Sequence, residues 1–188
     1  MKVLLAWLMV AGLGVSSVFA QETGFKKSDF TSVTVDVARM KLTRTGGGDY
    51  DDKTEKLTFK VKMRNGSTRI TFTDLKVEFF LFGICQEDRK SLKLMQRTEQ
   101  RVTLQPLKEF VYDTPEVVSM WDNTDAVFGD KYKGWCMLIY SPTGELLAEK
   151  TVSAFLKNTD RLPGLTQGQY YDNELNPTVV KPFSARLR

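Results

Sequence analysis

Residues 134–152 have the sequence of a β-hairpin, and no other stretch of the chain constrains the fold as strongly. An apolar segment is followed by Ser-Pro-Thr-Gly at positions 141–144 and then by a second strand-like segment. Pro142 fixes φ for the second position of a type I turn, and Gly144 accommodates the left-handed conformation that a short hairpin loop needs. The pattern predicts two antiparallel strands joined by a tight turn.

The amino terminus has the pattern of a secretory signal. Lys2 is followed by an uncharged apolar run over residues 3–15, and small residues precede Ala20. We expect cleavage after Ala20 and an exported chain, either secreted or periplasmic. The apolar run is too short, and wrongly flanked, for a lasting membrane span. An uncleaved anchor is the alternative.

Composition excludes several classes of function. The chain has no histidine and a net charge of +4. Without histidine, Ser-His-Asp and Cys-His catalysis and most zinc sites are excluded. The charge is too small and too dispersed for nucleic-acid binding. We expect no cofactor and no metal, because the acidic loops around residues 48–52 and 122–125 lack the spacing of a calcium-binding EF-hand.

Alternating apolar and polar residues predict an all-β chain. The seven predicted strands cover residues 33–42, 57–63, 70–84, 92–104, 110–112, 134–140 and 146–156. A β-bulge near Ala38 and Arg39 explains a shift of phase in the first strand. Residues 120–133, which are rich in Asp, Asn and Gly, are interpreted as a long connection.

The third predicted strand is apolar on both of its faces. One face carries Leu75, Val77, Phe79 and Leu81, and the other carries Phe80, Phe82 and Ile84. A half-exposed strand would show polar residues on one side, so this pattern predicts a central strand or a far face covered by the tail or by a partner.

Seven such strands with turn signals between them predict a two-layer antiparallel β-sandwich over residues 21–156. Residues 157–188, which are punctuated by proline and glycine, are predicted to form an irregular, extended C-terminal arm. The runs at 61–65, 74–80 and 104–106 resemble the immunoglobulin-like or fibronectin-like domains of exported bacterial proteins. The resemblance implies a fold and carries no catalytic residues with it.

Cys85 and Cys136 are the two cysteines of the chain. In an exported protein a pair of cysteines favours one disulfide, with two free thiols as the alternative. In sandwiches of the class that the chain resembles, the third and sixth strands are antiparallel neighbours. The resemblance therefore implies a bridge at one end of one sheet.

The same topology collects the connections 45–52, 85–90 and 120–133 at that end. Loops grouped on a rigid scaffold often bind ligands. The binding candidates in these loops are Tyr50, Asp51, Trp121, Asp122, Asp125 and Tyr132. The alternative is that the aromatic residues cap the core and the acidic residues form solvated turns.

These features favour a non-catalytic binding or envelope-interaction module that recognises a protein or a glycan through the grouped loops or the C-terminal arm. In one version, residues 178–183 add a strand to an exposed edge of a neighbour. A hydrolase that uses two carboxylates on glycans and a structural domain without a ligand are the alternatives. The oligomeric state stays open. Asn65-Gly66-Ser67 fits either a tight turn or a glycosylation acceptor.

Overall fold

Nine β-strands make up most of the folded chain, which we describe from a computed structural model covering residues 25–46, 53–122, 127–152, 156 and 158–180. The predicted signal (residues 1–20) lies outside the described residues. The strands are β1 (Val33–Gly46), β2 (Lys53–Asn65), β3 (Phe72–Cys85), β4 (Leu92–Leu104), β5 (Glu109–Asp113), β6 (Val117–Asp122), β7 (Phe128–Tyr140), β8 (Leu146–Thr151) and β9 (Tyr170–Tyr171). Two short 3-10 helices, Lys27–Ser32 and Thr159–Gly164, flank the strands.

The strands form one continuous antiparallel sheet in the order β1-β2-β6-β7-β3-β4-β9, in which β5 also pairs with β2 and β8 with β7. The predicted all-β antiparallel class is confirmed. The interpretation of residues 120–133 as a loop was wrong, because they contain the end of β6 and the first half of β7. Trp121 of β6 pairs with Lys53 of β2 and with Gly129 of β7, and so links the two halves of the sheet.

The two halves of the sheet fold over each other around an inner core. In β2, Leu57, Phe59, Val61 and Met63 are all buried, as their alternation predicts. The ring of Phe59 lies 5.5 Å from that of Phe79 on β3, and Phe79 stacks on Trp135 of β7 at 5.8 Å. The predicted bulge in β1 falls between Arg39 and Lys41, one residue from the expected position.

The outer face of β3 is covered by the C-terminal segment. Phe80 and Phe82 are fully buried in a second core, to which β4 and β7 also contribute. The residues that close it from the C-terminal side are Leu156, Leu162, Leu165, Tyr171 and Leu175. Both parts of the sequence-based prediction for this strand are confirmed, since β3 lies between β7 and β4 and its far face is covered by the tail.

The predicted hairpin is present as β7 and β8. Gly144 has φ of +86°, and its N–H donates to the Ser141 carbonyl at 3.0 Å. A second turn forms at Asn65, whose buried side-chain amide donates to the carbonyls of Ile70 at 2.7 Å and Leu104 at 3.1 Å. Because that amide is enclosed and bonded, the structure supports the tight-turn interpretation of residues 65–67 over a glycan acceptor.

The predicted disulfide is wrong. Cys85 and Cys136 are both free and buried. Cys85 pairs with Asp130 in the β3–β7 register, whereas Cys136 pairs with Phe80. These positions are five to six residues apart along the strands, which is about 17–20 Å at the usual rise per residue. The error has a specific cause: β7 starts at Phe128, so Cys136 lies in mid-strand and not at its beginning.

Alkylation tests the state of the two thiols. Burial raises the pKa of Cys136 to about 12 and also raises that of Cys85, so little thiolate exists in the folded protein at pH 8. We expect slow reaction with iodoacetamide in buffer. In guanidinium without reductant, mass spectrometry should show two adducts per chain. Adducts that form only after reduction would contradict the structure.

Gly129 permits the close approach of β6 to β7. It has φ of +81°, and a Cβ at this position would lie 2.1 Å from the carbonyl oxygen of Met120. Because a side chain has no room at this position, the close approach of β6 to β7 depends on glycine.

We expect Gly129→Ala to destabilise the fold by about 2–4 kcal/mol, because it combines a left-handed φ with a backbone clash. Urea unfolding measures the loss. Gly164→Ala is the matched control, since open space surrounds that position, and it should change stability by less than about 0.5 kcal/mol. Equal effects of the two substitutions would refute this role of Gly129.

Candidate binding groove

The residues predicted to form a binding site divide into two groups. Tyr50, Asp51 and Asp125 lie outside the described residues. Trp121, Asp122 and Tyr132 are described, and they lie where β6 meets β7. Of the three predicted connections, the described parts of 85–90 and 120–133 are in contact, because the N–H of Gln86 donates to the Gly129 carbonyl at 2.9 Å.

Trp121 and Tyr132 are packed inward. Trp121 is 3% exposed, and the Lys131 ammonium lies 5.8 Å from its ring. The Tyr132 ring lies 5.8 Å from that of Phe59 and is covered by the Arg39 guanidinium at 5.7 Å. Burial raises the pKa of Tyr132. Asp122 is also buried. This geometry favours the capping alternative for the aromatic residues, since their faces already have partners.

A polar cluster that the sequence did not single out lies nearby. Lys93 Nζ is 2.7 Å from Asp130 Oδ2, and the Tyr170 hydroxyl donates to the same oxygen at 3.1 Å. Burial, followed by the charge of Asp130, raises the pKa of Tyr170. The three residues come from β4, β7 and β9. Because they are far apart along the chain, they form no recognisable sequence motif. Only Asp130 falls within a loop considered above.

Asp130 and Lys93 also line a small cavity of about 290 Å³. Val118 and Met120, which are about half exposed, form its rim. The second carboxylate oxygen, Asp130 Oδ1, is buried and has no hydrogen-bond partner in the described part of the chain. Among the described residues that line this cavity, Asp130 is the one carboxylate.

A second ion pair fastens the C-terminal segment to the sheet. Glu78 of β3 is fully buried, and its Oε1 accepts a hydrogen bond from Arg97 of β4 at 2.7 Å. The same guanidinium donates to the carbonyl of Pro163 at 2.8 Å and lies 5.5 Å from the ring of Phe80. Lys76 Nζ approaches Glu78 at 3.7 Å. Arg97 therefore neutralises a buried charge and positions the chain that covers the second core.

A further groove, which we call the β1–β8 groove, lies between β8 on one side and the 3-10 helix Lys27–Ser32 with the start of β1 on the other. Its volume is about 740 Å³. Apolar side chains of the inner core reach its floor, among them Phe30, Val35 and Leu147. Exposed charged residues stand along its margins: Lys27, Asp36, Glu149 and Lys150.

Both margins of the groove include a sheet edge. Among the described residues, β1 pairs only with β2, and β8 pairs only with β7. Successive pairings from β1 through β2, β6 and β7 to β8 are all antiparallel, so β1 and β8 run in the same direction. In an edge strand, alternate backbone N–H and C=O groups point away from its single partner strand.

Lys150 crosses the groove. Its ammonium donates a hydrogen bond to the backbone carbonyl of Val35. That carbonyl faces away from β2, in the direction in which a further strand would pair. The lysine thus supplies a donor where the N–H of a neighbouring strand would otherwise stand.

Sequence reasoning did not identify this groove. The sequence does indicate the two strands that border the groove, which are a long alternating first strand and a short last strand in the hairpin. Their proximity follows from the fold-over of the sheet, which the sequence does not specify.

The described residues contain no group of three or more acidic or cysteine side chains suited to hold a metal ion. They also contain no helix with the length and apolar content needed to cross a membrane.

No protein-family model matches the chain, and no curated protein matches it. Several solved structures are partly similar to it in fold. A calcium-binding mutant of Bacteroides uniformis beta-glucuronidase 2 gives a TM-score of 0.37 at 10% identity over 73% of this chain, which spans 13% of the enzyme. The structural-genomics target SoR45 gives 0.34 at 13% identity, covering 80% of this chain and 97% of the target. A structure from Akkermansia muciniphila gives 0.33 at 9% identity, covering 80% and 95%. Overlaps of this size assign no function.

The Glu78–Arg97 pair yields a stability test. Arg97→Met should destabilise the protein by about 3–5 kcal/mol, because it leaves a buried carboxylate without its main partner. The double variant Glu78→Leu with Arg97→Met should recover much of that loss, since no buried charge remains. Urea unfolding measures both.

Arg101→Met is the matched control. Arg101 pairs with Asp74 at 3.1 Å, but both side chains are more than half exposed, so its loss should change stability by less than about 1 kcal/mol. If Arg97→Met proves no more harmful than Arg101→Met, the buried pair is not what holds the segment.

Proposed function

We propose that this chain is an exported, non-catalytic binding module with an immunoglobulin-like sandwich, and that it accepts an extended segment of a protein in the β1–β8 groove. The observation that carries the proposal is the groove itself. Two sheet edges that run in the same direction face each other over an apolar floor. A strand inserted antiparallel to both would complete the hydrogen bonding of each edge.

The groove offers the two kinds of contact that strand addition uses. Backbone groups of β1 and β8 would supply affinity independent of sequence, and the floor around Val35 and Leu147 would receive alternate side chains of the guest. Export rests on the predicted leader, which would place the module in the periplasm or outside the cell.

The charged margins suit recognition better than catalysis. Asp36 and Glu149 are exposed, and Glu149 already accepts a hydrogen bond from Thr159 at 2.7 Å. An exposed carboxylate in this setting lacks the desolvation that tunes a catalytic acid. Such residues are suited to contact basic side chains of a guest segment.

Peptides selected from a displayed random library test the proposal. The bait is the chain produced by export from a host that processes the leader. Peptides that bind should carry apolar residues at alternate positions. Ala148→Arg, which projects a long side chain into the groove, should weaken them by about tenfold or more, equivalent to 1.4 kcal/mol.

Val111→Arg is the matched control, because Val111 is 43% exposed on β5, on the other side of β2 from β1. It should leave peptide affinity unchanged. The groove would be excluded as the site if peptides bound the Ala148→Arg variant with the same affinity as the parent chain. Binding that depends on the end of the sheet near Trp121 would exclude it too.

A further inference from the structure

We propose that the guest in the β1–β8 groove is the C-terminal segment, residues 179–188, of a second copy of this chain. The inference rests on the proposed function, because it names the partner of the same groove. The observations that support it are the sequence of the segment, the place where the described chain ends, and the distance from there to the groove.

The segment has the pattern of a strand with one apolar face. Phe183, Ala185 and Leu187 alternate with Ser184, Arg186 and Arg188. A strand places alternate side chains on opposite faces. Such a strand would set an aromatic and an aliphatic side chain on the floor of the groove and direct two arginines outward, towards margins that carry Asp36 and Glu149 together with Lys27 and Lys150.

The described chain comes to the surface where this segment begins, although Val180 is still partly buried. The N–H of Thr178 still donates to the Tyr170 carbonyl at 2.9 Å, and Pro177 bridges to Tyr171. The next residue, Val179, is 87% exposed, the highest value among the exposed large apolar residues. The residues that follow therefore start from the surface, beyond β9.

The apolar residues of this segment do not fit into the chain's own groove. From the strand position of Pro177 to β8 the path crosses five strand spacings, which is about 24 Å. About seven extended residues, 179–185, would cover that distance. Phe183 and Ala185 would then be used in the crossing and could not lie in the groove, and the direct route runs over an outer face already covered by the tail. A second copy meets no such limit.

A guest strand that enters the groove must displace the side chain of Lys150. Because its ammonium holds the Val35 carbonyl, a strand that pairs with β1 must replace that hydrogen bond with a backbone N–H of its own. The exchange conserves the number of hydrogen bonds to the carbonyl and releases the lysine towards solvent, where it regains hydration.

Cysteine pairing between copies tests the inference directly. One full chain carries Ala148→Cys in the groove, and another carries Ala185→Cys in the segment. The native thiols are buried. Mixing the two variants under mild oxidation should give a covalent dimer that neither variant gives alone. A chain carrying both substitutions that closes on itself as a cross-linked monomer would overturn the assignment to a second copy.

Mass in solution gives a second, independent readout with a matched pair of full-length variants. Phe183→Asp places a charge on the apolar face of the segment, whereas Ser184→Asp places it on the polar face. By light scattering after size exclusion, the parent chain and Ser184→Asp should have masses above that of one chain at high concentration, and Phe183→Asp should remain monomeric. Point variants are preferred to truncation at Gln169, which would also remove Tyr171 and Leu175 from the second core. A parent chain that is monomeric throughout refutes the inference.

The two proposals fail in different ways. If selected peptides bind the groove and lose affinity with Ala148→Arg, but no cross-linked dimer forms between copies, the proposed function stands and the identity of the guest is wrong. If the peptides bind elsewhere, both proposals fall.

Discussion

The fold depends on the burial of β3 on both faces. Phe79 and Leu81 face the inner core beneath β2, while Phe80 and Phe82 face the second core beneath the C-terminal segment. Each of these large side chains contributes about 1.5–3 kcal/mol when removed from water. A sheet that ended at Thr151 would expose the outer two, so the C-terminal segment is an integral part of the folded unit and not an appendage to it.

That burial brings a charge with it. Glu78 shares the outer face with Phe80 and is fully buried, which would be strongly unfavourable without a partner. Arg97 provides the partner and uses its remaining donors on the carbonyls of Pro163 and Leu165. A buried pair of this kind adds little stability compared with apolar residues, but it selects one arrangement. Here the ion pair fixes the position of the C-terminal segment on the sheet, which an apolar contact alone would not specify.

Local patterns in the sequence predicted the local structure well and the long-range structure poorly. The alternation in β2, the two-sided β3 and the Pro142–Gly144 turn all specify short-range features, and all are present. The start of β7 was misplaced because Gly129 and Asp130 look like loop residues. In the fold, the glycine is needed for the approach of β6, and the aspartate is paired with Lys93 and accepts a hydrogen bond from Tyr170. Neither requirement is visible without the neighbouring strands. The disulfide prediction failed through the same misplacement, and the β1–β8 groove was missed because it exists only once the sheet has folded over.

The two sides of the folded sheet are closed unequally, and this difference is what makes one of them a binding surface. On the β5 side, the N–H of Thr114 donates to the Phe59 carbonyl at 2.8 Å, and Gln96 reaches the Pro115 carbonyl at 3.0 Å. The first bond ties residue 114 to β2, and the second joins this half of the sheet to β4. On the β1–β8 side, the described backbone groups are bridged by the side chain of Lys150. A lysine on an edge strand discourages indiscriminate pairing, because any guest must displace a charged group that is already hydrogen-bonded. A guest strand whose apolar side chains fill the floor of the groove compensates for that displacement, whereas a polar guest strand does not. The lysine that protects the edge therefore also selects for strands with alternating apolar side chains.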